Sequence, residues 1–282
     1  MKRCKGWWHA GWVRAWAGSL VLGVAGCSST GVGNPGVPAA ALSLAIVADQ
    51  DDDSAKLANA GDAGPSAEAD AGAPLASSDA LPGSAITRAA LVIGSLRWLP
   101  CDASIAPVVQ NGPFIVDLVA GTTEPALPPV TKVAGGFCGF DAPLAPARVS
   151  AELAGRSLVF AGTRADGVGF LLFANVRAIL RVRAERGEIW GLPSDTTPLL
   201  WALRPRRWAG QSELAAAAPD EDPGALPTIV IDVDRHPLLF ALIRARLASE
   251  SGVFLDTNDN GVLDPEERAR GALGTATSDP EN

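Results

Sequence analysis

Residues 157–174 read SLVFAGTRADGVGFLLFA, and this stretch decides the fold class. Two runs rich in Val, Leu and Phe, residues 157–162 and 167–174, flank the turn Ala165-Asp166-Gly167-Val168. An Asp-Gly pair between two such runs indicates a β-hairpin, because glycine readily adopts the positive φ that a tight turn requires. The stretch therefore predicts two antiparallel strands.

Similar apolar runs recur along the chain at short intervals, separated by clusters of Gly, Pro and Asp. Many short strands with few helical periods favour a sandwich or a barrel. We therefore predict a mainly β fold, a β-sandwich or barrel-like domain over residues 42–234. Its further strands are predicted at Leu42–Ala48, Ile86–Leu99, Pro113–Val119, Arg177–Arg183, Pro198–Leu203 and Thr228–Val233.

One later segment has the periodicity of a helix. Pro237 suits a first helical position, and Gly252 suits the stop. Apolar residues recur between them at spacings of three and four, namely Leu238, Leu239, Leu242, Ile243 and Leu247. We assign this helix to a C-terminal unit, residues 235–272, followed by a disordered tail over residues 273–282.

The N-terminus carries the pattern of an export signal. Residues 1–14 contain four basic and no acidic residues, and residues 15–26 carry no charge. Those twelve uncharged residues are too few to cross a hydrocarbon layer that needs about 20 residues in a helix. We therefore predict that residues 1–26 are a cleaved signal peptide and not a permanent membrane span.

The signal ends in Leu22-Gly23-Val24-Ala25-Gly26-Cys27, which resembles the lipobox of bacterial lipoproteins. The resemblance implies that Cys27 is lipidated and becomes the new N-terminus, so that the acyl chains anchor the protein in a membrane. Ser28 follows, and by the same resemblance a residue other than Asp implies the outer membrane, on its periplasmic or cell-surface side. The alternative is an ordinary secretory signal that ends in a chance cysteine.

Two segments lack the apolar content of a folded element. Residues 27–41, rich in Ser, Thr, Gly and Pro, are predicted to be a flexible tether. Residues 49–83, dominated by Ala, Asp, Gly, Ser and Pro without an aromatic side chain, are predicted to be a disordered insertion in the β-rich domain.

Charge and cysteine content fit an exported protein. Cleavage after residue 26 removes four basic residues from 23 and leaves all 31 acidic ones, so the formal charge becomes −12. Nucleic acid is therefore not expected as a partner, because binding it requires a basic surface. Once Cys4 is cleaved away and Cys27 is acylated, Cys101 and Cys138 are left, and we predict a disulfide between them. The alternative is two separate buried thiols.

The best motif follows the helix, in residues 256–267, which read DTNDNGVLDPEE. It resembles the twelve-residue calcium loop of the EF-hand family at every defining position. The resemblance implies calcium as the cofactor, with Gly261 at the sharp turn and Leu263 as an apolar plug. The implied ligands are Asp256, Asn258, Asn260, the Val262 carbonyl, Asp264 and Glu267.

Two features limit this resemblance. There is no second loop to pair with this one, and Ser251-Gly252-Val253 do not continue a regular entering helix. A fixed structural clamp is therefore expected in place of a calcium-triggered opening. The alternative is a solvated hairpin, because Asn260-Gly261 is also a type I′ turn signal between apolar runs.

The chain has few other candidates for catalytic residues. His236 is the one histidine after the signal and is best explained as a helix-flanking residue. Asp232 and Asp234 alternate with Val233, so their side chains can project together as a carboxylate pair for a hydrolase. The alternative is that they form the solvent-exposed face of a half-buried strand. We expect no enzymatic activity, and the hydrolase is the less favoured alternative.

A glycan-binding module of the cell envelope is the other alternative. Arg181, Arg183 and the run Arg204-Pro205-Arg206-Arg207-Trp208 can meet an anionic glycan, with Trp190, Trp201 or Trp208 as stacking surfaces. The competing interpretation is that the arginines are solvated beside core tryptophans.

A long predicted strand is followed by the segment Phe114-Ile115-Val116-Asp117-Leu118. In this respect the stretch from Leu42 to about Arg246 resembles an uncharacterised β-sandwich domain of bacterial lipoproteins, which supports the fold class and implies no chemistry. The sequence as a whole predicts an outer-membrane lipoprotein that binds one calcium ion in a structural or adhesion-type role. Its expected partners are the membrane, calcium, and a cell-surface glycan or protein.

Overall fold

A computed structural model describes residues 41–49, 85–147, 153, 155–185, 187–192, 198–220 and 226–280. The predicted signal peptide, the lipidation site Cys27, the tether up to residue 40 and residues 50–83 of the predicted insertion lie outside these ranges. Within the described residues, no helix combines the length and the apolar character that crossing a membrane requires.

The described chain is mainly β, as predicted. Its helices are α1 (Pro205–Trp208), α2 (Gln211–Ala216), α3 (Pro237–Ser249) and α4 (Pro265–Arg270). Its strands are β1 (Ala41–Leu42), β2 (Leu44–Ala48), β3 (Ala85–Pro100), β4 (Val108–Asp117), β5 (Thr122–Glu124), β6 (Val130–Thr131), β7 (Phe137–Pro143), β8 (Leu158–Thr163), β9 (Gly169–Ala174), β10 (Ala178–Ala184), β11 (Leu199–Leu203), β12 (Thr228–Ile231), β13 (Ser251–Leu255) and β14 (Gly274–Pro280).

The 16-residue strand β3 organises the sheet. Along one edge it pairs with β4, and along the other it pairs first with β8 and then with β7, all antiparallel. The register shifts between Ile93 and Ser95, where one residue of β3 faces two residues of β4. Ile93 and Leu96, on either side of this bulge and three positions apart, are therefore both buried.

The main sheet runs in the order β12-β9-β8-β3-β7-β10-β14-β13-β11-β2, with β4 and β5 branching from β3. Inward-facing residues of both halves belong to one core, for example Phe160 on β8 and Trp201 on β11. Phe140 on β7 lies at the centre of an aromatic cluster, with its ring centroid 5.2 Å from Trp98 and 5.1 Å from Trp201. The open sheet thus wraps around its core in a sandwich-like fold, as predicted.

The hairpin and the long helix form where the sequence predicts them. β8 and β9 pair antiparallel across the Asp166-Gly167 turn, and α3 begins at Pro237. Arg164 in that turn donates hydrogen bonds to the carbonyls of Leu214 and Ala217, which ties the turn to the end of α2. The predicted apolar face of α3 is partly wrong, because Leu238 is exposed while Leu239, Ile243 and Leu247 are buried.

The prediction of a disordered tail over residues 273–282 is wrong for its described part. β14 lies between β10 and β13 and pairs antiparallel with both. Backbone hydrogen bonds from two neighbours satisfy the strand, and Ala276 packs into the core. Because β13 and β14 belong to the same sheet as β2, β3 and β12, the boundary predicted at residue 234 does not separate two units either.

The predicted disulfide is present. Cys101, directly after β3, is bonded to Cys138 on the neighbouring strand β7, with their Cα atoms 4.9 Å apart. The bond ties together two strands that pair only over a short length at this end of β3.

The position of β14 gives a test of the fold. Removing residues 274–282 leaves the edges of β10 and β13 unpaired, so we expect the truncated protein to lose cooperative thermal unfolding in circular dichroism. Removing residues 281–282 alone is the matched control and should preserve the transition. A truncated protein that melts within about 5 °C of the wild type would show that β14 is dispensable.

Candidate metal centre

The candidate loop, residues 256–267, lies between β13 and α4. β13 pairs with β11 and β14, so Asp256 is presented from the end of a strand held on both sides. The side chain of Leu263 packs on the outer face of the sheet in a cluster with Val47, Leu200, Ala202 and Phe254. The apolar plug that the sequence predicts is therefore present, and it fastens the loop to β2 and β11.

The first half of the loop turns around the Asp256 carboxylate. Asp256 is buried, and its two oxygens accept hydrogen bonds from the Asn260 backbone N–H at 3.1 Å and the Gly261 N–H at 2.8 Å. Gly261 has φ +70°, and a Cβ there would meet nothing within 4 Å, so the backbone conformation and not space calls for glycine. The loop is wound around its first acidic residue.

The two asparagines converge on Asp264. Asn258 Nδ2 donates to Asp264 Oδ2 at 2.6 Å, and Asn260 Nδ2 donates to the same oxygen at 3.0 Å. Their side-chain oxygens accept the backbone N–H groups of Asn260 and Val262. The residues at positions 3, 5 and 9 are therefore in mutual contact.

Glu267 closes the loop. Its carboxylate is buried and accepts the Thr257 backbone N–H at 2.6 Å and the Thr257 hydroxyl at 3.1 Å through Oε1. Its other oxygen accepts the Asp264 N–H at 3.2 Å. The last residue of the loop thus reaches the residue that follows Asp256, and the two ends of the motif are brought together.

The solvated hairpin that the sequence left open is wrong. A type I′ turn at Asn260-Gly261 needs positive φ at both residues, but among the described non-glycine residues only Asp259 has one. The apolar residues before the loop pair with β11 and β14 and not with Val262 and Leu263.

The carboxylates of the loop are too few to coordinate a calcium ion by themselves, so other oxygen ligands would be needed. Among the described residues, no group of three or more His, Cys, Asp or Glu side chains is arranged to hold a metal ion. The loop offers three carboxylates at the motif positions, Asp256, Asp264 and Glu267. The asparagine amides and the Val262 carbonyl would have to complete a coordination shell of six to eight oxygens.

A contact that the sequence did not predict lies beside the loop. Asp49, assigned to the disordered insertion, is buried instead, which corrects that boundary. Its Oδ2 accepts Arg204 Nε at 2.7 Å, and its Oδ1 pairs with the guanidinium of Arg268 on α4. The ion pair joins the end of β2 to the helix that leaves the loop.

One member of the carboxylate pair weighed for a hydrolase, Asp232, accepts the hydrogen bonds of a turn. Asp232 Oδ1 accepts the backbone N–H groups of Asp234 at 2.9 Å and Arg235 at 2.7 Å. These bonds, the one from Arg235 first, hold the pKa of Asp232 below its usual value, so this carboxyl is ionised near neutral pH. His236 lies at the N-cap position of α3, as predicted.

The surface expected for a glycan is not formed. Trp190, Trp201 and Trp208 are buried, so their rings offer no stacking face to a ligand. Arg181 pairs with Asp279 at 2.9 Å, and Arg183 pairs with Asp141 at 2.6 Å. The competing interpretation, solvated arginines beside core tryptophans, fits these residues better, and the two half-exposed arginines also form ion pairs.

Comparisons with protein-family models, with curated proteins and with solved structures gave no match to this chain. The geometry of the residues themselves therefore carries the functional argument.

The packing of Leu263 can be tested separately from any ion. Leu263→Ala should lower the free energy of unfolding by about 2 to 3 kcal/mol, because it empties a buried site between loop and sheet. The measurement is urea unfolding in the presence of a chelator. Val262→Ala, an exposed neighbour, is the control and should change stability by less than about 0.5 kcal/mol. Equal effects of the two substitutions would mean that the loop does not rest on the sheet.

Proposed function

We propose that the protein is an extracytoplasmic, membrane-anchored lipoprotein that binds one calcium ion through residues 256–267, in a structural or adhesion-type role. The observation that carries this proposal is the return of the Glu267 carboxylate to Thr257, directly beside Asp256. The EF-hand spacing of residues 256–267 is thus accompanied by a loop in which the last residue, Glu267, contacts the second, Thr257.

The donor set suits calcium. Calcium is a hard cation that takes oxygen ligands at about 2.3 to 2.6 Å from flexible geometries. Asp256, Asp264, Glu267 and the Val262 carbonyl supply oxygens directly. Asn258 and Asn260 now present Nδ2 to Asp264, and a half-turn of each terminal amide presents the side-chain oxygen in its place.

The charge of the loop favours a cation as well. Residues 256–267 contain five acidic and no basic residues, and the two carboxylates at the ends of the motif are buried. Backbone N–H groups now donate to the Asp256 and Glu267 carboxylates and moderate the repulsion among the acidic side chains. A divalent ion would offset that repulsion further. With only three carboxylates among the ligands, affinity in the range of about 10⁻⁵ to 10⁻³ M is expected, which suits calcium levels outside the cytoplasm.

The surroundings of the loop support a fixed clamp. β13 takes the place of an entering helix, and Leu263 is embedded in the sheet. Opening of the calcium-sensor type depends on a change in angle between two helices. Calcium here would instead stiffen the connection between β13 and α4.

Export and anchoring rest on the sequence. The basic and apolar segments of residues 1–26, the lipobox-like end at Cys27 and Ser28 after it support an outer-membrane lipoprotein. The Cys101–Cys138 disulfide is consistent with an oxidising compartment. The charge of −12 after cleavage argues against nucleic acid as a partner and leaves a cell-surface protein as the proposed partner beside the membrane.

Calcium titration of the full-length protein tests the proposal. Glu267→Gln should weaken calcium binding in titration calorimetry by at least about tenfold, because the substitution removes a carboxylate that can bind through both oxygens. Glu266→Gln changes the same charge at an exposed neighbouring position and should leave the affinity close to that of the wild type. The proposal fails if the wild type gives no binding heat or if the two variants bind equally well.

A further inference from the structure

The strand β2 ends the path of the sheet and is held at its C-terminal end by Asp49. Its pairing with β11 is parallel, and the Asp49 N–H donates to the Leu203 carbonyl at 2.7 Å. The Asp49 carboxylate has no exposed surface and pairs with both Arg204 and Arg268. An edge strand opens more readily than a central one, so these contacts at its end matter to whether β2 stays in place.

Arg268 is connected to two of the candidate calcium ligands, Asp264 and Glu267, through the backbone of α4. It follows Glu267 directly, and its backbone N–H donates to the Asp264 carbonyl at 2.9 Å in the first turn of α4. Asp264 and Glu267 are themselves joined by the hydrogen bond from the Asp264 N–H to Glu267 Oε2. A ligand that holds Asp264 and Glu267 in place would therefore also hold the backbone of Arg268, and with it the guanidinium that pairs with Asp49.

A second contact links the same loop to the same strand. Leu263 shares its cluster with Val47, which lies on the outer face of β2, two residues before Asp49. The C-terminal end of β2 thus has two contacts of this kind. Val47 packs against Leu263 of the loop, and Asp49, just after β2, pairs with Arg268 on α4. Neither contact involves the core beneath the sheet, so both depend on the loop keeping its conformation.

We infer that calcium in the 256–267 loop acts as a latch that holds β2 on the sheet through Arg268–Asp49 and Leu263–Val47. This inference rests on the proposed calcium site and adds what that site controls. The ion would stabilise the positions that Asp264 and Glu267 already hold, and with them the start of α4, so that Arg268 and Leu263 keep β2 against β11.

The latch lies between the proposed anchor and the rest of the domain. Cys27 precedes β1 and β2 in the chain, so tension from a membrane-held N-terminus would act first on β1, which pairs with β6, and then on β2. Filling the loop at extracellular calcium levels would strengthen that attachment, and loss of calcium would loosen it. Coupling of this kind is reciprocal, so weakening the Asp49 contact should also weaken calcium binding.

Hydrogen exchange on the full-length protein tests the latch. Calcium should slow exchange of the amides of residues 44–49 in the wild type by at least about fivefold. In Arg268→Gln, calcium should still bind in calorimetry, with affinity reduced several-fold, but should slow those amides much less. Arg270→Gln, on the exposed side of the same helix, is the matched control and should behave like the wild type.

The outcomes separate the two proposals. If calcium binds and protects residues 256–267 but leaves residues 44–49 unchanged in the wild type, the latch is wrong and the calcium site stands. The latch is equally wrong if Arg268→Gln keeps the full protection of β2 with unchanged calcium affinity. If calcium does not bind the wild type at all, the calcium site fails and the latch falls with it.

Discussion

The hydrogen bonds of the Glu267 carboxylate determine how the C-terminal region is arranged. One oxygen holds Thr257 at the end of β13, and the other holds Asp264 at the start of α4. These bonds close the loop and set the direction of α4, which in turn places Arg268 beside Asp49. A buried carboxylate without such donors would be costly, so the loop conformation and the burial of Glu267 require each other.

The same reasoning applies to Asp49. Burying a carboxylate is unfavourable, and two arginines from distant parts of the chain offset that cost here. Removing one partner from such a group is much more damaging than removing an exposed ion pair, because the remaining charge stays buried. The stability of the buried Asp49 carboxylate therefore depends on both α4 and the end of β11 being in place.

Local patterns predicted those parts of the fold that local chemistry decides. The hairpin at residues 157–174, the helix from Pro237 and the spacing of residues 256–267 each depend on neighbours in sequence. β14 was missed because Gly274–Pro280 has few bulky residues and owes its strand conformation to pairing on both edges. Asp49 looked like the start of an acidic, solvated run, since its partners lie 155 and 219 positions away.

A strand in place of an entering helix limits what a calcium ion could do at the proposed site. In paired loops the ion changes an angle between helices, and an apolar groove becomes exposed. Here β13 is hydrogen-bonded on both sides, so its direction is fixed by the sheet, and Leu263 is already buried against that sheet. At the proposed site, the free energy of ion binding would therefore mainly stabilise the loop and α4. Because Arg268 on α4 pairs with Asp49 at the end of β2, that stabilisation would extend to the neighbouring edge of the sheet.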